Sequence, residues 1–293
     1  MRIGAALAIA ALAAGAAVQV ASPASAAPSA VVSGGSATNS VAKKTATAVC
    51  PSGTRVYGGG GDITGGGHEV ALTGLRPASV LAGGKFVDSF TATAEEDDTG
   101  YAANWAVYAY AICGAAQPSL SIQRATLTAP GGGSRIEGSV SCPSGTAPLG
   151  VGAEIGNGNG NVVLNEAIGN YTVGPFGVPT GWAGAKAFTD ETGYGLTWNL
   201  TTYAVCAVPP PGLTYVFVDS AYNSADKTAS SECPAGTKVY GAGGYLNYLA
   251  GQVHFDRLVP HGSAWTGSDV DAREDQTGFT PNWWATSEAI CAR

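Results

Sequence analysis

The sequence predicts an all-β protein made of three homologous, disulfide-closed β modules of about 90 residues each. Three observations predict it. The phrase "DDTGYAANWAVYAYAIC" (97–113) returns as "DETGYGLTWNLTTYAVC" (190–206) and as "DQTGFTPNWWATSEAIC" (275–291). Six cysteines fall in two alternating types: Cys50, Cys142 and Cys233 open "CPSGT" or "CPAGT", and Cys113, Cys206 and Cys291 close "AIC" or "AVC". Charged residues make up only 12% of a chain with 43 glycines, a composition suited to short strands and many turns.

The chain begins "MRIGAALAIAALAAGAAVQVASPASAAPSA". One arginine, an Ala-rich apolar run and the small residues Ala24-Ser25-Ala26 read as a secretory signal peptide over residues 1–26. A membrane span is the weaker reading, because small residues dominate and a cleavage site follows. No second long apolar run appears, and the chain stops two residues after Cys291, which leaves no room for a C-terminal anchor. The expected product is extracellular, with no membrane insertion after signal cleavage. Loss of Arg2, the only charge in that stretch, takes the net charge from −7 to −8. An acidic chain lacks the basic footprint that nucleic acid or an anionic membrane requires.

The repeats then divide the mature chain into modules at 27–113, 114–206 and 207–293. Six cysteines allow fifteen pairings. The repeat selects Cys50–Cys113, Cys142–Cys206 and Cys233–Cys291, one bridge within each copy. An oxidising compartment favours that use, and loops of this size gain roughly 4 kcal/mol in the chain-entropy model. A cysteine zinc site is not expected, since no CxxC occurs. The modules are either beads in a row or packed about a pseudo-threefold axis.

Within each copy the last strand is the clearest element. Trp105, Trp198 and Trp283 each stand eight residues before the closing cysteine. Eight is even, so Trp and Cys share one strand face. That face reads Trp105, Val107, Ala109, Ala111, Cys113 in copy one, a core-facing row. The first cysteine is followed by a Pro/Gly/Thr turn and by paired glycines: Gly58 and Gly60, Gly150 and Gly152, Gly241 and Gly243. A bare strand face admits a ring or another backbone, and the expectation is that the Trp packs over these glycines. A phosphate loop is not expected, because no Lys-Ser/Thr follows. Pro148 stands where the other copies have Val56 and Val239, which puts a regular strand there in doubt.

The D-x-T-G turns carry Asp97, Asp190 and Asp275, with Gly100, Gly193 and Gly278 suited to positive φ. They are expected to be structural, although Glu95, Glu96, Asp98, Glu191 and Glu274 nearby leave a calcium reading open. The face opposite the Trp row differs between copies: Tyr108, Tyr110 and Ile112; Tyr203 and Val205; Trp284, Thr286, Glu288 and Ile290. Tyr108, Tyr110, Tyr203 and Trp284 are the candidate binding residues, since exposed rings stack on sugars or anchor a protein partner.

Catalytic signatures are missing. No G-x-S-x-G nucleophile elbow occurs, and "HEV" at His68 has no second histidine four residues on. His254 and Asp256 share a strand face with His261 nearby, yet no histidine recurs across the copies, and neither metal nor cofactor is expected. Carboxylate pairs for glycosidase chemistry are available in the acidic turns, but a threefold repeat seldom serves one asymmetric active site.

The repeated "CPxGTxxxGxG…WxxxxxAxC" pattern resembles modules of uncharacterised secreted actinobacterial proteins, over most of the mature chain. The resemblance implies architecture and no activity. The expected function is a secreted, non-catalytic binding protein for a cell-surface glycan or a protein partner, since repeated weak sites gain avidity. The alternatives are a structural or assembly component of an extracellular particle or envelope, and a secreted hydrolase.

Overall fold

Period-two burial marks the strands from the start. Lys43–Val49 alternates exposed and buried at every residue, as does Lys227–Glu232. The glycine-bearing strands, by contrast, are buried on both faces. The computed structural model describes residues 27–174, 177–247, 251–261 and 265–293. The signal-peptide reading, residues 1–26, lies outside them.

Among the described residues there are eighteen strands, six per copy, and no helix. Copy one gives β1 (Pro28–Gly35), β2 (Lys43–Val49), β3 (Arg55–Thr64), β4 (Val70–Ala82), β5 (Lys85–Glu96) and β6 (Ala106–Gly114). Copy two gives β7 (Ser121–Ala129), β8 (Arg135–Ser141), β9 (Ala147–Gly156), β10 (Val162–Val173), β11 (Pro179–Thr189) and β12 (Trp198–Ala207). Copy three gives β13 (Thr214–Asp219), β14 (Lys227–Glu232), β15 (Lys238–Leu246), β16 (Val253–His261), β17 (Gly267–Glu274) and β18 (Ala285–Ala292).

The copies are not beads. Three six-stranded sheets run β1-β6-β3-β16-β17-β14, β2-β5-β4-β9-β12-β7 and β13-β18-β15-β10-β11-β8. Each sheet joins three strands of one copy to three of another, so every copy contributes to two sheets. The seams are equivalent and short: Arg257↔Asp62 and Leu258↔Gly61, Gly74↔Glu154 and Leu75↔Ala153, Glu166↔Tyr245 and Ala167↔Gly244. This cyclic exchange gives a pseudo-threefold axis. The larger of two hydrophobic clusters draws buried residues from all three copies.

All three within-copy disulfides form, each tying the strand before the first cysteine to the last strand. Trp105, Trp198 and Trp283 are fully buried together with the small residues of their rows. Truncating such a ring costs about 3–5 kcal/mol. The glycines do not receive them. In the ladder Gly58 pairs with Ile112 and Gly60 with Tyr110, which puts both on the face opposite Trp105. A Cβ on Gly58 would meet the Tyr240 carbonyl oxygen at 2.7 Å, on Gly150 that of Tyr57 at 2.1 Å, and on Gly241 that of Leu149 at 2.5 Å. The three equivalent glycines bring backbone against backbone at the axis. Pro148 is also accommodated: β9 runs through it, with the bulge that all three copies place before the first of these glycines.

Candidate functional site

The acidic turns fold as the sequence suggests. Asp97 Oδ1 accepts the Thr99 and Gly100 N–H groups and the Thr99 hydroxyl. Asp275 Oδ1 does the same with Thr277 and Gly278, and Asp190 Oδ1 accepts from Thr192 Oγ1 and Gly193 N. Gly100, Gly193 and Gly278 have φ of 73°, 75° and 74°.

What the sequence does not reveal is that the three turns converge. One end of the axis holds a small cavity lined by Asp97, Asp190 and Asp275, by Asp98 and Glu191, and by His68 and His254, with room of about 20 Å³ for a water-sized guest. The turns touch across copies, Gln276 Nε2 donating to Thr99 Oγ1 and Thr277 Oγ1 to Glu191 Oε1. Burial and the neighbouring Glu191 carboxylate push Asp275 up to about 6, and burial is likewise the main cause raising Asp190. His254 is 3% exposed, and burial holds its imidazole down at about 4, with His68 adding repulsion.

His254, Asp256 and His261 do not form a metal triad. Asp256 pairs with Arg273 at 3.0 Å, and His261 lies between Asp269 and Glu232 at 2.7 Å each. Among the described residues no group of three or more His, Cys, Asp and Glu side chains stands arranged to hold a metal ion.

The second candidate is the outer face of the sheet shared by copies one and three. Cross-strand pairing sets Gly35, Tyr108, Asp62, Arg257, Asp271 and Thr228 in one row. Beside Tyr108, two residues along β6, lies Tyr110, and both rings are part-exposed. Arg257 lies 4.0 Å from Asp62, 3.5 Å from Asp269 and 3.6 Å from Asp271. Thr228 and Ser230 donate to Asp271 and Asp269. Burial raises Asp62 against the pull of Arg257, and burial, then Asp62, raises the Tyr110 hydroxyl. The sequence reading found Tyr108 and Tyr110. It missed Asp62, Arg257, Asp269 and Asp271, because the row is completed by another copy across a two-pair seam.

The remaining candidates lie elsewhere. Tyr203 is 6% exposed, and its hydroxyl donates to Glu154 at 2.9 Å, so its ring offers little surface. Trp284 lies half-buried just ahead of β18, edge-on to the exposed Tyr222 at 5.4 Å. Thr286, Glu288 and Ile290, the other residues of its row, are buried. No protein-family model matches the chain, and no curated protein matches it.

Proposed function

We propose that the protein is a secreted, non-catalytic binding protein, and that its ligand is a cell-surface glycan held on the outer face of β6, β3, β16 and β17. One observation carries the reading: two adjacent, part-exposed rings, Tyr108 and Tyr110, border the row of Asp62, Arg257 and Asp271, with Asp269 of the neighbouring row also in contact with Arg257. Rings present flat apolar area to the C–H face of a sugar, and oriented carboxylate and guanidinium groups serve its hydroxyls. Both sets stand on the interior strands of a six-stranded sheet, so little ordering is needed on binding. Three disulfides suit an oxidising, extracellular setting. Trp284 with Tyr222 offers a second aromatic contact on a different face.

A protein-assembly role is the second reading, favoured by the β4–β5 hairpin. Val80, Leu81, Phe86 and Val87 near its tip are 59%, 65%, 52% and 44% exposed. Binding of the purified protein to isolated cell envelope and to a glycan array separates the two. Tyr108→Ala with Tyr110→Ala is expected to weaken envelope and glycan binding at least ~10-fold, the scale of losing a hot-spot contact. Leu81→Ser with Phe86→Ser is expected to leave it intact. The reverse pattern supports assembly through the hairpin. Turnover of a polysaccharide by the purified protein would remove the non-catalytic reading.

A further inference from the structure

The strand β4 outruns its neighbour. It pairs with β9 at Gly74 and Leu75 only, yet with β5 as far as Ala82. Among the described residues no strand pairs with its other edge between Arg76 and Ala82. The equivalent stretch of copy two is closed. The seams align Gly74 with Glu166, and so Pro77 with Gly169 and Ser79 with Tyr171. There Glu288 accepts the Gly169 N–H at 2.9 Å, and a Cβ on Gly169 would stand 3.3 Å from the Tyr215 ring. Tyr171 packs on Tyr215 with ring centroids 5.6 Å apart, and the Tyr215 hydroxyl donates to the Pro148 carbonyl at 2.6 Å. At the seam of copies one and two these positions fall to smaller or differently turned side chains: Ser79 for Tyr171, Ile122 for Tyr215, and Tyr203, bonded to Glu154, for Glu288. The result is an open groove of about 430 Å³ between β4 and the start of β7, lined by Pro77, Ser79, Ile122 and Arg124. Arg55 and Phe86 border it and also a second recess of about 460 Å³.

The groove has two unlike sides, because side chains alternate along β4. Ser79 and Leu81 share one face with their cross-strand partners Asp88 and Phe86. The Arg55 guanidinium stacks on Phe86 at 4.0 Å and is held by Asp88 Oδ2 at 2.8 Å and Ser79 Oγ at 3.1 Å. Arg76 and Lys85 belong to the other face, where Arg76 lies 3.6 Å from Glu154 and Arg124 continues the row of Tyr203. Neither the Lys85 ammonium nor the Arg124 guanidinium has an ion-pair or hydrogen-bond partner among the described residues, and no Asp or Glu lines either recess. This basic, half-apolar groove stands on a chain of net charge −7.

We propose that the groove is a docking site for an extended, acidic segment of a partner protein, which adds as a strand to the free edge of β4. The backbone is oriented for it. Gly169 turns its N–H to the seam, the matching Pro77 has none, and by alternation Ser79 and Leu81 present N–H and C=O to the groove. An unpaired edge is a template for another chain, with main-chain bonds giving affinity and alternate side chains giving specificity. A strand laid there points one set of side chains toward Arg76 and Arg124, and the other toward Leu81 and Phe86. Carboxylates suit the first set and branched apolar residues the second. Edge-to-edge pairing of two copies would instead set Arg76 and Lys85 of each against like charges, which disfavours a second copy as the occupant. The groove lies on a different sheet from Tyr108 and Tyr110.

The test uses the whole, disulfide-intact protein and a fluorescent peptide of about ten residues that alternates glutamate and valine, read by anisotropy. Saturable binding is expected. Lysine in place of glutamate, or methylation of the peptide nitrogens on one edge, is expected to weaken it at least ~10-fold. So is Arg124→Glu with Lys85→Glu, which breaks no ion pair and is expected to keep the parent's melting temperature. Leu81→Pro removes an edge N–H that no strand uses, so it is expected to fold and to weaken binding by the same factor. Should it fail to fold, the charge-reversed variant decides. No binding at millimolar peptide overturns the proposal, as does equal binding of the lysine or N-methylated peptide, or equal affinity in the folded charge-reversed protein. Dimerisation in sedimentation that Leu81→Pro abolishes, with the peptide unbound, would assign the edge to a second copy and overturn it too. Tyr108→Ala with Tyr110→Ala is expected to leave peptide binding unchanged, so this outcome and that for the glycan face are read separately.

Discussion

The indole N–H of Trp105 donates to Glu96 Oε1 at 2.7 Å, and that of Trp283 to Glu274 Oε1 at 3.1 Å. The ammonium of Lys44 lies 3.7 Å from the Trp105 ring centroid, and that of Lys227 4.0 Å from Trp283. Each ring thus has a cation at its electron-rich face and a carboxylate at its N–H edge. Copy two replaces both partners together: Ile136 stands at the lysine position and Thr189 at the glutamate position, and Trp198 donates to the Gly133 carbonyl at 2.9 Å. The charges are thus one of two self-consistent sets. Lys44→Ile alone or Glu96→Thr alone leaves the other charge poorly matched and is expected to cost about 1–3 kcal/mol. The double variant is expected to cost at least about 1 kcal/mol less than the sum, as a denaturant double-mutant cycle reports. Strict additivity would show the two groups to be independent. Glu288 is a different case. It occupies the position of Tyr110 and Tyr203, is fully buried, and accepts the Gly169 N–H at 2.9 Å. Burial raises its pKa well above the ordinary glutamate value, against the pull of the Gly169 N–H. A raised folded pKa contributes stability that is fully present below the unfolded value, about 4.3, and is lost as pH rises through the folded one. Glu288→Gln is expected to remove that decline, and equal slopes of unfolding free energy between pH 5 and 9 in both proteins would contradict it.

At the scale of the strand, β3, β9 and β15 owe their place at the axis to missing side chains. Backbone cannot retreat as a side chain can, so Gly150→Ala drives a methyl against Tyr57 O and the Gly58 Cα and is expected to destabilise by about 1–3 kcal/mol or more. Gly195 has open space around it and no positive φ. Gly195→Ala is expected to be neutral or to gain about 0.4–1 kcal/mol by restricting the unfolded chain. Similar melting temperatures for the two variants would remove the axial packing argument. These strands also mark where the sequence stops being readable. The cysteine pairing, the Trp rows and the Asp–Thr–Gly turns depend on residues within one copy, and the repeat exposes each by comparison. The period of two showed that Gly58 and Gly60 share a face, but nothing local says what another copy lays against it. The seams of two residue pairs leave no pattern, so Asp62 and Arg257 read as unrelated surface charges. His68 and His254 read as stray histidines because only the closed ring brings them to one cavity.

At the scale of the molecule, each copy is half of two sheets, and its long-range contacts run through its neighbours. Residues 27–114 alone would leave β3 and β4 as unpaired interior edges and the glycine face against water, a state with exposed backbone and too little core. That fragment is expected to remain unfolded by near-ultraviolet circular dichroism even with Cys50–Cys113 oxidised, while the whole chain melts in one transition. The pseudo-symmetry makes a sharper demand. Six residues, 115–120, connect β6 to β7, and six, 208–213, connect β12 to β13. By the same rotation the end of β18 and the start of β1 stand as far apart as those linked pairs. A permutant that joins Arg293 to Pro28 through about six flexible residues, and opens the chain between Gln117 and Pro118, keeps every strand, seam and disulfide. Joining ends already near one another costs little loop entropy, since doubling such a loop changes it by only about 0.6 kcal/mol. The permutant is therefore expected to unfold within about 1–2 kcal/mol of the parent, to show the same three disulfides on peptide mapping, and to match the parent in the proposed binding on the Tyr108 and Tyr110 face, whose strands come from copies one and three on either side of the new join. Failure to fold with a linker of that length, and rescue only by one several times longer, would mean that the first and last copies do not meet as the other two pairs do.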